Sequence, residues 1–92
     1  MQAIKDTIRL PDELGQQLRA HRVALGMGKV ELAQRAGKVR EVIYRLEAGE
    51  DTTVSSLMAV LAALGLGIRL ERTGMPSADE VASRFQDDGD DS

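Results

Sequence analysis

Seven basic side chains lie between Arg19 and Arg45: Arg19, Arg22, Lys29, Arg35, Lys38, Arg40 and Arg45. Only Glu31 and Glu41 oppose them in that stretch, a local balance of +5 in a chain whose formal net charge is −3. Guanidinium and ammonium groups gathered on one segment are what contact with nucleic-acid phosphates requires. The same residues also suit an ordinary solvated helix surface. The opposing charge sits at the far end, where "QDDGDDS", residues 86–92, holds four Asp and no base.

Other chemistry has little to work with. The chain has no Cys, which removes disulfides, thiol catalysis and cysteine metal sites. Its single His, His21, makes no metal site alone and is read on the surface of the first helix. No acid–base cluster, nucleophile dyad or phosphate loop is present; "GLG" at 65–67 precedes a strand-like segment instead of a helix. The sequence therefore implies no enzyme, cofactor or metal. The longest apolar stretch, Leu57 to Leu66, falls far short of the roughly 20 residues of a membrane span. No basic-then-apolar leader opens the sequence, so a cytoplasmic protein is expected.

The elements that position the basic residues follow from periodicity. Ninety-two residues suit one domain with a modest core, a size at which oligomerisation often adds stability. Residues 3–10, "AIKDTIRL", alternate loosely and predict a short strand. Pro11 suits the first turn of a helix, and Asp12 and Glu13 suit its positive end. That first helix is predicted over Pro11–Leu25, with Leu14, Leu18, Val23 and Leu25 as its apolar stripe and Gly26 as its stop. A second, Lys29–Ala36, is stopped by Gly37. A third, Val39–Ala48, turns Val42, Ile43 and Leu46 inward and is stopped by Gly49. A fourth, "TVSSLMAVLAALG", is capped by Thr53 and is apolar on most of its surface, which marks it as buried or at an interface.

Beyond Gly65 the pattern alternates. Leu66, Ile68 and Leu70 share one face and Arg69, Glu71 and Arg72 mostly the other, which predicts a strand of about six residues. Two short strands are marginal alone, so a dimer pooling strands from both chains is expected. Ser77 to Glu80 has capping-box spacing ahead of Val81 and Phe85, and the acidic end is read as disordered. The domain reading is thus 1–74 for the folded unit and 75–92 for a short helix and acidic tail.

With Val42, Ile43 and Leu46 inward, the third helix turns Lys38, Arg40, Glu41, Tyr44 and Arg45 outward, with Val39 at the edge. Arg reads guanine through O6 and N7, and Glu accepts from the cytosine amino group. The plain alternative is a solvated face on which Glu41 and Arg45 pair at i, i+4 for roughly 0.2–0.5 kcal/mol.

Residues 22–50, "RVALGMGKVELAQRAGKVREVIYRLEAGE", resemble the lambda-repressor-like helix-turn-helix domains of the Xre family. The shared features are the Arg ending the first helix, "LG" before the second, "ELAQ-x-x-G" through the turn, "I-x-x-LE-x-G" closing the third and "L-x-x-LAALG" in the fourth. The resemblance spans residues 12–66. It implies a mainly α fold of four to five helices, with short terminal strands forming a small intersubunit sheet. It places base contacts on Val39, Arg40, Glu41, Tyr44 and Arg45 and a phosphate contact on Lys29; Lys38, outward on the same unit, is also well placed for DNA phosphate. It also implies an ion pair between Arg22 and Glu47.

The layout from Pro11 to "LGLGIRLER" further resembles the HipB-like antitoxins. That implies a dimer built on Leu57, Val60, Leu61, Leu64, Leu66, Ile68 and Leu70, which represses transcription by binding double-stranded DNA and docks a toxin on its other side. The sequence departs from the pattern at Gly28 and Lys29, where Thr or Ser and then Gln are usual, and at Val39, where a Ser or Thr cap is usual. Losing such a cap costs about 1 kcal/mol. Those departures and the acidic tail motivate an alternative, a protein-interaction module whose helix-turn-helix survives as scaffold. "TIRLPDELGQQL" also suits a ribbon-helix-helix start, but three further helices follow it.

Overall fold

The computed structural model describes residues 7–73. The short helix expected at 77–85, the acidic tail and the first residues of the N-terminal strand lie outside that range. Four helices make up the fold: α1 (Pro11–Ala24), α2 (Lys29–Ala36), α3 (Arg40–Ala48) and α4 (Val54–Ala63). The third packs against both α1 and α2, and α2 also packs on α4. Leu18, Leu32, Ile43 and Val60, one from each helix, are fully buried at the centre.

Local chemistry sets the helix ends. At the start of α1 the Glu13 carboxylate accepts from the backbone N–H groups of Arg9 and Leu10, at 2.8 and 3.3 Å. These bonds close the chain back onto the first turn. Between α2 and α3, Gly37 takes φ +70°, a conformation that costs a side-chain-bearing residue free energy. The turn is then locked by Lys38 N–H donating to the Ala33 carbonyl at 2.9 Å.

Starts differ more than stops. Thr53 caps α4 by accepting from Ser56 N–H at 3.0 Å. Val39 holds nearly the same backbone angles, φ −78° and ψ 156°, but has no hydroxyl to offer. It stands just outside α3, one residue before the helix expected to begin with it. Gly28 starts α2 equally bare.

No strand forms among the described residues; 7–9 and 66–73 are neither helix nor strand. A strand exists through its ladder of backbone bonds. Here the two segments are joined instead by one side-chain bond, Thr7 Oγ1 to Glu71 Oε1 at 2.8 Å. Together with α1 they border a groove of about 450 Å³, lined by Ile8, Leu14, Leu18, Leu61, Leu66 and Ile68 among others. The residues expected at a subunit interface divide. Val60, Leu61 and Leu64 are 1, 4 and 7% exposed and complete the core of the single chain. Leu57 and Leu66 are half-buried, whereas Ile68 is exposed and Leu70 is 90% exposed. The apolar surface of α4 is thus divided, with Val60 and Leu61 in the core of the single chain and Val54 and Met58 exposed.

Candidate nucleic-acid interface

A surface that reads a rigid partner must itself be held rigidly, and α3 is held from behind by α1. The two helices cross at Gly15, where a Cβ would meet the backbone carbonyl oxygens of Leu46 and Glu47 at 2.5 Å. Only a residue without a side chain allows that approach. At the end of α3, Gly49 adopts φ +79°, and a Cβ there would stand 2.8 Å from Asp12 Cα. The N-terminal turn of α1 therefore rests on the C-terminal turn of α3.

The third tie is ionic. Arg22 Nε donates to Glu47 Oε2 at 2.6 Å and Nη2 donates to Oε1 at 3.0 Å. Nη1 turns the other way and donates to the Met27 carbonyl at 2.9 Å. The two side chains are only 9 and 5% exposed. The hydrogen bond to Glu47 is the main reason the Arg22 pKa is raised, against the opposing effect of burial. Planar, two-pronged pairing of this kind fixes geometry as well as charge. It leaves no buried side-chain nitrogen or oxygen without a partner among the described residues.

What α3 turns outward is polar and accessible. Ile43 and Leu46 are buried and Val42 half-buried, while Arg40, Glu41, Tyr44 and Arg45 are exposed. Lys38 is half-buried, and Val39 is 65% exposed at the tip of the helix. Among the described residues no ion pair engages Lys38, Arg40, Glu41 or Arg45. The i, i+4 pairing of Glu41 with Arg45, the plain account of those charges, is absent. A pair of that kind occurs one helix earlier, where Arg35 Nη2 meets Glu31 Oε2 at 2.9 Å on an exposed surface.

The basic stretch thus resolves into parts with different work. Arg22 is consumed in the core and Arg35 is engaged locally. Lys29, Lys38, Arg40 and Arg45 remain as cations of the α2–α3 unit, and Arg19 stands on α1. Lys29 Nζ lies 4.4 Å from the centre of the Tyr44 ring. This cation–π contact joins the first residue of α2 to the outer face of α3. Sequence spacing carries no sign of it, because it depends on how the two helices cross. The Met27 carbonyl was likewise invisible as a partner for Arg22.

No protein-family model matches the sequence, and no curated protein does. Solved structures do match. One is a chain from a structure of a HipA-HipB-O2-O3 complex, 26% identical with a TM-score of 0.69, covering 75% of this chain and 99% of that one. Another is the clp gene regulator ClgR from C. glutamicum, 28% identical with a TM-score of 0.59, covering 70% of this chain and 83% of that one. The chain has a helix-turn-helix regulator fold. Within it α2, the Gly37 turn and α3 form the helix-turn-helix, and α1 is the brace behind it.

Among the described residues no helix is long and apolar enough to cross a membrane, and no group of three or more His, Asp or Glu is placed to hold a metal.

Proposed function

We propose that this protein is a transcription regulator that binds double-stranded DNA with sequence specificity, acting as a homodimeric repressor of the Xre type. The observation that carries this reading is the outer face of α3. It presents Arg40, Glu41, Tyr44 and Arg45 exposed, on a helix braced by Gly15, Gly49 and the Arg22–Glu47 pair. The N-terminal residues of such a helix enter the major groove, and the half-sites of a dimer lie about one helical turn apart. Arg40 and Arg45 are assigned to guanine edges, Glu41 to a cytosine amino group. Lys29 and Lys38 are assigned to phosphates, and Tyr44 to a base edge or phosphate beside Lys29.

The likeness to a chain solved with HipA and to the gene regulator ClgR supports regulation of transcription. The first likeness also favours the narrower role of an antitoxin that holds a toxin as well as DNA. Dimerisation is assigned to the apolar side chains that the single chain leaves uncovered or half-covered: Leu57, Leu66, Ile68 and Leu70, with Val54 and Met58 beside them. Val60, Leu61 and Leu64 support that surface from inside.

Selection from random duplexes tests the reading. Enrichment of an inverted repeat with half-sites about 10 bp apart is expected. One observation favours a second reading, a protein-binding module on a helix-turn-helix scaffold: both α2 and α3 start without a side-chain cap. No enrichment, together with no binding to any duplex at low salt, would decide for that second reading.

A further inference from the structure

The side chain of Val39 has no role in folding that the structure reveals. It occupies the cap position of α3, where the backbone carbonyl accepts from Val42 N–H at 3.1 Å but the side chain, unlike Ser, Thr, Asp or Asn, has no oxygen to add. That side chain is 65% exposed, so it gains little from the core. A β-branched apolar group at the tip of a helix, uncovered and of no use as a cap, suits a surface that covers it only in a complex. On either side stand Lys38 and Arg40, which fix the partner's chemistry as anionic and rich in hydrogen-bond acceptors.

We infer that Val39 reads the C5-methyl group of a thymine in the major groove, next to the base taken by Arg40. Thymine is the one standard base that presents an apolar group on that edge, and apolar side chains recognise it by contact. A Ser or Asn here would cap the helix but leave that methyl against a polar group. The missing cap and the exposed valine then have one explanation: helix stability is exchanged for base discrimination. The inference rests on the DNA-binding reading above and adds to it a base and an atom.

The test uses the full chain and the duplex obtained by selection. Each thymine is replaced in turn by deoxyuridine, which removes the C5-methyl group and nothing else, and affinity is read by fluorescence anisotropy. Burying one methyl-sized group is worth about fourfold in affinity. One thymine in each half-site is expected to show that loss with the wild-type protein. The same deoxyuridine is expected to make no difference to Val39→Ser, whereas Val39→Thr, which keeps one methyl and adds a capping hydroxyl, retains part of the discrimination. Circular dichroism confirms that both variants are folded. If no thymine is sensitive while Arg40→Ala still alters sequence preference, DNA reading stands and the role of Val39 is overturned. If a sensitive thymine stays equally sensitive in Val39→Ser, another side chain reads it and the inference again falls. If no duplex binds at all, the DNA-binding reading itself has failed.

Discussion

Uncoupling Arg22 from Glu47 is the sharpest perturbation of the brace behind α3. The Arg22 guanidinium spends two donors on Glu47 and a third on the Met27 carbonyl, with both side chains under one-tenth exposed. Glu47→Leu strands a buried cation with one remaining acceptor, and Arg22→Met strands a buried carboxylate. Removing one partner of a buried pair costs about 3–5 kcal/mol. At roughly 0.05–0.15 kcal/mol per residue, a body of this size has only about 3–10 kcal/mol in total. Each single change should therefore lower the melting temperature by tens of degrees, since 1 kcal/mol moves a small domain by about 4–8 °C. The double variant Arg22→Met/Glu47→Leu removes both charges and is expected to recover most of the loss. What it keeps losing is the bond to Met27, about 1 kcal/mol. Urea and thermal melts followed by far-UV circular dichroism give the four corners of the cycle and hence the coupling energy. The pairing raises the Arg22 pKa, so the arginine's contribution is complete below its unfolded pKa and is lost only as pH climbs through the higher folded one. The melts can therefore be run near neutrality without the arginine titrating. Single variants costing under about 1 kcal/mol, and adding in the double, would refute the claim that this pair is a desolvated tie.

Two other changes probe the frame. Gly15→Ala places a methyl against two backbone oxygens of α3 at 2.5 Å. The resulting strain, about 1–3 kcal/mol or more, should outweigh the roughly 1 kcal/mol that Ala gains over Gly inside a helix. The melting temperature should fall; an unchanged or higher value would contradict the close crossing. Val39→Thr should act in the opposite direction. The backbone already has the angles of the Thr53 cap, so the new hydroxyl should meet the N–H of Val42, which now donates to the Val39 carbonyl at 3.1 Å, and add up to about 1 kcal/mol. A thermal melt no higher than the wild type's would show that α3 gains nothing from a cap.

The four helices were legible because their signals are local. Apolar spacing marked the inward faces of α2 and α3 through Leu32, Ile43 and Leu46, and Gly37 and Gly49 marked the stops. In α1, however, only Leu14 and Leu18 of the expected stripe turn inward, and Val23 and Leu25 are exposed. The fold's tightest contact was not legible. No local pattern announces the purpose of Gly15, which exists only where α1 crosses the carbonyls of α3. The tie between Lys29 and Tyr44 was hidden for the same reason, since no local pattern encodes the angle between α2 and α3. The fourth helix left two readings open. An apolar surface on most sides marks a helix that is buried or at an interface, but periodicity does not say whether the cover comes from the same chain. For Val60, Leu61 and Leu64 it does. The alternation after Gly65 shows which residues share a face, yet a strand needs a pairing partner, and among the described residues there is none.

The central claim is that the outer face of α3 reads DNA sequence. The most direct measurement compares wild type, Arg40→Ala and Lys29→Ala by anisotropy titration, on the selected duplex and a scrambled one, across a series of salt concentrations. Arg40→Ala is expected to shrink the preference for the selected duplex by about tenfold or more, as the loss of a base contact worth 1–3 kcal/mol would. Lys29→Ala is expected to weaken both duplexes alike and to reduce the salt slope by about 1. A preference left intact by Arg40→Ala, with specificity unchanged at every base, would contradict the claim.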